Sequence, residues 1–156
     1  MMIRNILLLF LIGIISLGCG FNPMYSKTSN INFEIMSVEF TGNSQMNSFI
    51  ENRLNKYSKT SSDKKFNIKI NTRFQKISLA KDTTGKTTNF NLICTLDLII
   101  LSENEGAESQ VTSFSENIIV KDNENKIDQS NYEKNVIDNL SQLLLNRLVF
   151  QLSKRK

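Results

Sequence analysis

Apolar and polar residues alternate along three stretches of this chain with the period of a strand, and recur along two others with the period of a helix. Between residues 31 and 40 the apolar positions are Ile31, Phe33 and Ile35, then Val38 and Phe40. The change of phase near Met36-Ser37 predicts a strand with a β-bulge. Thr41-Gly42-Asn43-Ser44 reads as a turn that ends in a helix cap. Met46, Phe49, Ile50, Leu54 and Tyr57 then share one stripe, which predicts a helix over 44–59. Phe66, Ile68, Ile70, Thr72 and Phe74 alternate with Asn67, Lys69, Asn71, Arg73 and Gln75, so this strand should be half-buried, with a basic and polar outer face. Ile77 to Ala80 either extends it or opens a loop.

Residues 81–86, Lys-Asp-Thr-Thr-Gly-Lys, are a turn by chemistry. The next segment, 90–101, is the most apolar outside the N-terminal region. Phe90, Leu92, Cys94, Leu96, Leu98 and Ile100 make one face; Ile93, Thr95 and Ile99 make the other, interrupted by Asp97. Apolar character on both faces predicts a central strand. After the turn signal at 103–106 a weaker strand runs from 109 to 114 or a little beyond, and Ile118-Ile119-Val120 precedes a polar run, 121–125. Tyr132, Val136, Leu140, Leu143, Leu144 and Leu148 follow a helical spacing, predicting a last helix from 129 or 130, or several residues earlier, to 154. The order strand, helix, strand, strand, strand, helix defines an α+β domain: a mixed four-stranded sheet with two helices packed on one face. The other face would carry Lys69, Arg73 and the second side of the 90–101 strand, open to solvent or to a partner.

Before this domain an apolar run spans 6–17, preceded by the basic start Met-Met-Ile-Arg-Asn and followed by Gly18-Cys19-Gly20. A positive start, an apolar stretch of this length and small residues at its end make a secretory signal. A cysteine at that junction suggests a lipobox, although Ser16 stands where lipoboxes usually carry leucine. Residues 1–18 would then be removed, Cys19 would carry N-acyl and S-diacylglycerol lipid, 19–30 would be a tether, and 31–156 would be one periplasmic domain. A transmembrane anchor and an ordinary cleaved signal are the alternatives, and the run is short for a spanning helix, which needs about 20 apolar residues.

Composition narrows the chemistry. The chain has no histidine and no tryptophan, and its only other cysteine, Cys94, lies in a strand-like apolar run. Histidine-based zinc sites and Ser-His-Asp or Cys-His catalysis are therefore disfavoured. No Gly-rich phosphate loop or paired-carboxylate motif stands out, so no catalytic residue, no metal site and no cofactor beyond the acyl groups is expected, and the chain reads as a non-enzyme. The net charge of +4 hides a segregation. Ten basic residues between Arg53 and Lys86 face only Asp63 and Asp82, and ten acidic residues between Asp97 and Asp138 face Lys121, Lys126 and Lys134. A basic block suits an anionic polymer or lipid. An anionic glycolipid fits a secreted chain better than nucleic acid does, and a plain solvated face is the competing explanation.

Several patches resemble the LPS-assembly lipoproteins of the LptE family, its alphaproteobacterial members in particular. The opening Gly18-Cys19-Gly20-Phe21-Asn22-Pro23-Met24-Tyr25 is similar to their GCGF-x-PLY start. Ser78-Leu79-Ala80-Lys81-Asp82-Thr83 resembles their segment between the second and third strands, and Asn89-Phe90-Asn91-Leu92 their third-strand entry. Val120-Lys121-Asp122-Asn123-Glu124 resembles the run into their last helix. The resemblance implies two helices on a four-stranded sheet. It also implies a non-enzymatic outer-membrane lipoprotein, anchored on the periplasmic side, that plugs an LptD-type β-barrel and helps deliver lipopolysaccharide. It places lipopolysaccharide-binding lysines at Lys86 and Lys121, with Lys81 as a neighbour. A lipoprotein that regulates or scaffolds another envelope machine, such as a cell-wall synthase or a transporter, is the rival reading.

Overall fold

The computed structural model describes residues 33–55, 62–101 and 110–155, all within the unit Ile31–Lys156. The elements are β1 (Glu34–Gly42), α1 (Ser44–Leu54), β2 (Lys65–Lys81), β3 (Thr87–Leu101), β4 (Gln110–Lys121) and α2 (Lys126–Lys154). They form one four-stranded sheet in the order β1-β2-β3-β4. β1 and β2 run parallel, which requires the crossover that α1 supplies, and the other two pairs are antiparallel. The α+β architecture expected from the residue pattern, with both helices on one sheet face, is the one observed.

The core follows from the alternation. Ile68, Ile70 and Thr72 of β2 and Leu92, Cys94, Leu96 and Leu98 of β3 point to the covered face. Met46, Ile50 and Leu54 of α1 and Val136, Ile137, Leu140, Leu144, Leu145, Leu148 and Leu152 of α2 close over them. β1 has its bulge between Ile35 and Ser37, where the sequence changes phase, and the extra residue, Met36, is exposed. The bulge is what lets Ile35 before it and Val38 and Phe40 after it all reach the core.

The β1–α1 corner depends on one glycine and one buried threonine. Gly42 has φ +96°, and a Cβ there would sit 1.9 Å from the Thr72 carbonyl oxygen. Asn43 follows as the helix cap; its side chain accepts from the Met46 N–H at 3.0 Å. The Asn43 N–H reaches both the Thr72 carbonyl, at 3.1 Å, and the Thr72 hydroxyl oxygen, at 3.0 Å. The Thr72 hydroxyl donates in turn to Asn47 Oδ1 at 2.7 Å, which is why a threonine is tolerated in a fully buried position.

The structure also sets the element bounds, correcting some expectations and choosing between alternatives at others. α1 ends at Leu54, short of the expected 59; Tyr57 lies outside the described residues. β2 takes in Ile77 to Ala80 as strand and continues to Lys81. β4 is one strand through Ser115-Glu116-Asn117 to Lys121: Ser115 and Asn117 lie on the open face, and Glu116, on the covered side, pairs with Arg147 of α2. α2 starts at Lys126, capped by Asn125, whose side chain accepts from the Ile127 N–H at 3.1 Å and the Asp128 N–H at 3.4 Å. Tyr132 and Leu143, expected on the buried stripe, are about half exposed; Gln129, Ile137, Ser141 and Leu145 take their share of it. The buried face of α2 is turned toward Ile137, Ser141 and Leu145 and away from Tyr132 and Leu143.

Candidate functional site

Cys19 lies outside the described residues. The other candidate residues, Lys81, Lys86 and Lys121, all fall at the end of the sheet where β2 finishes and β3 begins, beyond the level of the β1–α1 corner. β2 and β3 form a long hairpin that loses its cover toward the tip, with Gln75 to Leu79 exposed. The tip is a five-residue turn wrapped around one carboxylate. Asp82 Oδ1 accepts from the Thr84 hydroxyl at 2.6 Å, the Thr84 N–H at 2.9 Å and the Lys86 N–H at 3.0 Å. Gly85, at φ +84°, completes the turn by donating to the Asp82 carbonyl. The Thr84 hydroxyl bond above all, with the two N–H groups and the Lys86 charge, holds the Asp82 carboxyl below its usual value.

Register decides which residues meet. β3 places Asn89 beside Lys121 of β4, and the Asp122 N–H donates to the Thr88 carbonyl at 2.8 Å. The start of β3 thereby joins the hairpin tip to the corner between β4 and α2. An open depression of about 450 Å³ lies there, lined by Asp82, Lys86, Asn89, Lys121, Asp122 and Glu124 among others. Lys86 and Lys121, 35 positions apart in the chain, thus share one depression. Lys81 is exposed at the end of β2, opposite Thr87, and does not line it.

Charges in the depression are mixed. Lys86 Nζ is 3.8 Å from Glu124 with both side chains well exposed, a weak pair in water. Asp122 is held by Lys126 at 3.3 Å. Lys81 and Lys121 have no ion pair among the described residues. These are two exposed ammonium groups with hydrogen-bonding capacity to spare, near a third whose partner is loosely held. Such a set can receive phosphate or carboxylate oxygens by charge-assisted hydrogen bonds.

Elsewhere the basic block is dispersed by folding. Lys69 pairs with Glu39 at 2.8 Å, Arg73 with Asp97 at 3.2 Å and Lys76 with Glu133 at 2.5 Å. Arg53 stacks on Phe49, 3.5 Å from the ring centroid. Folding thus neutralises part of the block across strands and between strand and helix. Lys64 and Lys65, at the start of β2, have no ion pair among the described residues, as Lys81 has none at the hairpin end.

The open sheet face is a polar lattice. Asp97 lies at its centre, accepting from Ser113 Oγ at 2.6 Å, Arg73 at 3.2 Å and Asn71 Nδ2 at 3.4 Å. Asn117 donates to Asn91 at 3.0 Å and Ser37 to Asn67 at 2.7 Å. Ile93, Ile99, Val111 and Ile119 lie among these groups, so the face is amphipathic. Cys94 is on the other side, fully buried, and burial pushes its thiol up to about 11; it is a packing residue and stays protonated at neutral pH. Among the described residues there is no group of side chains suited to a metal ion, and no helix is long and apolar enough to cross a membrane.

No family model matches the sequence, and no curated protein matches it. Solved structures share the fold. The solution structure of an uncharacterized lipoprotein B from Nitrosomonas europaea has a TM-score of 0.58 at 12% identity, over 80% of this chain and 87% of that one. The crystal structure of the rare lipoprotein B from Shewanella oneidensis has a TM-score of 0.51 at 11% identity, over 74% of this chain and 91% of that one. At such identities the likeness is one of fold.

Proposed function

We propose that this chain is a lipid-anchored envelope protein that assists lipopolysaccharide assembly beside an LptD-type outer-membrane β-barrel. The fold shared with two bacterial lipoproteins B carries the reading, because it was reached independently of the cysteine that ends the N-terminal apolar run. A second observation supports it. Three of the patches that resemble the LptE family, at 78–83, 89–92 and 120–124, are far apart in the chain, yet β-pairing gathers them at one end of the sheet. In this account Cys19 carries the acyl groups, and stable attachment requires more than one chain. The hairpin end offers Lys81, Lys86 and Lys121 to the phosphates of lipopolysaccharide, and the amphipathic open face meets the barrel.

The test is a lipopolysaccharide-binding series. Replacing Lys86 and Lys121 together with Asp should weaken binding about tenfold or more, by removing two charge-assisted contacts and adding repulsion. The wild-type affinity should fall as salt rises, since exposed charges are screened within about 8–10 Å. Equal binding by the double variant and the wild type at every salt concentration would reject the site. Intact-mass analysis of the protein from its own envelope should show an acylated N-terminus, and Cys19→Ala should abolish it.

A further inference from the structure

The corner that bears Lys121 is held in place by a relay of side chains that begins on the hairpin. Lys76, near the end of β2, lies over the Phe90 ring of β3, 4.1 Å from its centroid, and reaches Glu133 on α2 at 2.5 Å. The same Glu133 oxygen accepts from Gln129 Nε2 at 2.5 Å. Gln129, 5% exposed, turns its own carbonyl toward the β4–α2 loop and accepts the Asn123 N–H at 2.9 Å. Asn123 in turn accepts the N–H of the cap residue Asn125 at 3.0 Å.

Each link restricts the next. A buried glutamine must satisfy both ends of its amide, and here one end is spent on a charged carboxylate and the other on a loop backbone. The carboxylate is fixed because an ammonium from the hairpin shares its oxygen. The exposed hairpin and the loop after β4 are thereby both tied to one turn of α2. The short β3–β4 contact at Thr88 and Asp122 closes the circuit from the other side.

The geometry points to Lys76, Glu133 and Gln129 as positioning residues that hold the β4–α2 loop against the hairpin, so that Lys121 and Lys86 face one depression. This rests on the reading of that depression as the lipopolysaccharide site for its functional half; its structural half stands apart from it. None of the three lines the depression. Their effect is to keep two exposed lysines at a fixed spacing, so that less freedom is lost when an anion binds both.

Two variants test it, Gln129→Leu and the isosteric Glu133→Gln, the second retained in case the first does not fold. Amide hydrogen exchange is followed at Asp122, Asn123 and Asn125, with Ile70 and Leu98 in the core as reference. Binding is measured to phosphatidylcholine vesicles with and without purified lipopolysaccharide. The expected result is exchange about tenfold faster at Asp122 and Asn125 as well as Asn123, unchanged exchange at Ile70 and Leu98, and lipopolysaccharide binding weakened severalfold. Unchanged exchange at Asp122 and Asn125 would overturn the relay. Faster exchange with wild-type binding, in a protein whose Lys86→Asp, Lys121→Asp variant binds weakly, would overturn its functional half. Should that double-lysine variant bind like the wild type, the ligand site falls and the exchange data alone decide the relay.

Discussion

Gly42 and Ser141 are single atoms' worth of difference from alanine, and the fold treats them in opposite ways. At Gly42 a methyl group would meet the Thr72 carbonyl oxygen at 1.9 Å, on a backbone at φ +96°. Gly42→Ala should cost about 1–3 kcal/mol or more in urea unfolding, since strand β1 must move to make room. Ser141 faces the core of α2, and its hydroxyl is buried with no hydrogen-bond partner among the described residues. Ser141→Ala should raise stability by about 1 kcal/mol in the same assay. Asp82 gives a pH signature. Its carboxyl titrates below the ordinary 3.8 because the folded turn, through Thr84 first, prefers the charged form. The turn is therefore fully held above that ordinary value and loosens as pH falls through the lower folded one. Amide shifts of Thr84 and Lys86 should report a shared acid transition with a midpoint below 3.8 that Asp82→Asn removes.

At the scale of elements the two central predictions concern β3 and α2. Leu96 and Leu144 are fully buried, one on the covered face of β3 and the other in the middle of α2. Truncating either to Ala should cost about 2–5 kcal/mol, and losses well under 1 kcal/mol at both would mean that the helix layer does not sit on the sheet as described. These elements were legible in the sequence because each has one buried face and one wet face, and burial writes its period into the residues. What was not legible lacks that period. The middle of β4, Ser115-Glu116-Asn117, is held by backbone pairing to β3, which leaves no mark on side-chain polarity. The start of α2 is fixed by the Asn125 cap, which is hidden in a run of polar residues that all look like loop. The site was half legible. Lys86 and Lys121 could be proposed from the family-like patches, but their meeting depends on the register that sets Asn89 against Lys121. The Lys76–Glu133–Gln129 relay joins three elements and has no spacing that a single sequence could reveal; a buried glutamine in place of a leucine on the α2 stripe is its only trace.

Over the described residues, folding brings part of the segregated charge together across the sheet and between the sheet and α2. Glu39, Asp97 and Glu133 each neutralise a member of the basic block, and Arg147 on α2 does the same for Glu116 on β4 at 2.5 Å. The remainder is an asymmetric object: a packed helix layer on one side, a polar lattice around Asp97 on the other, and unpaired lysines at the hairpin end. In the proposed function the hairpin end meets an anionic lipid and the open face meets a protein wall. The central claim is the partnership with the barrel. It is tested most directly by a mild-detergent pull-down of the tagged full-length chain from its own envelope, with the co-purifying proteins identified by mass. The account predicts a one-to-one complex with an outer-membrane β-barrel of the lipopolysaccharide translocon; recovery of a peptidoglycan synthase or a transporter, with no barrel, would contradict it.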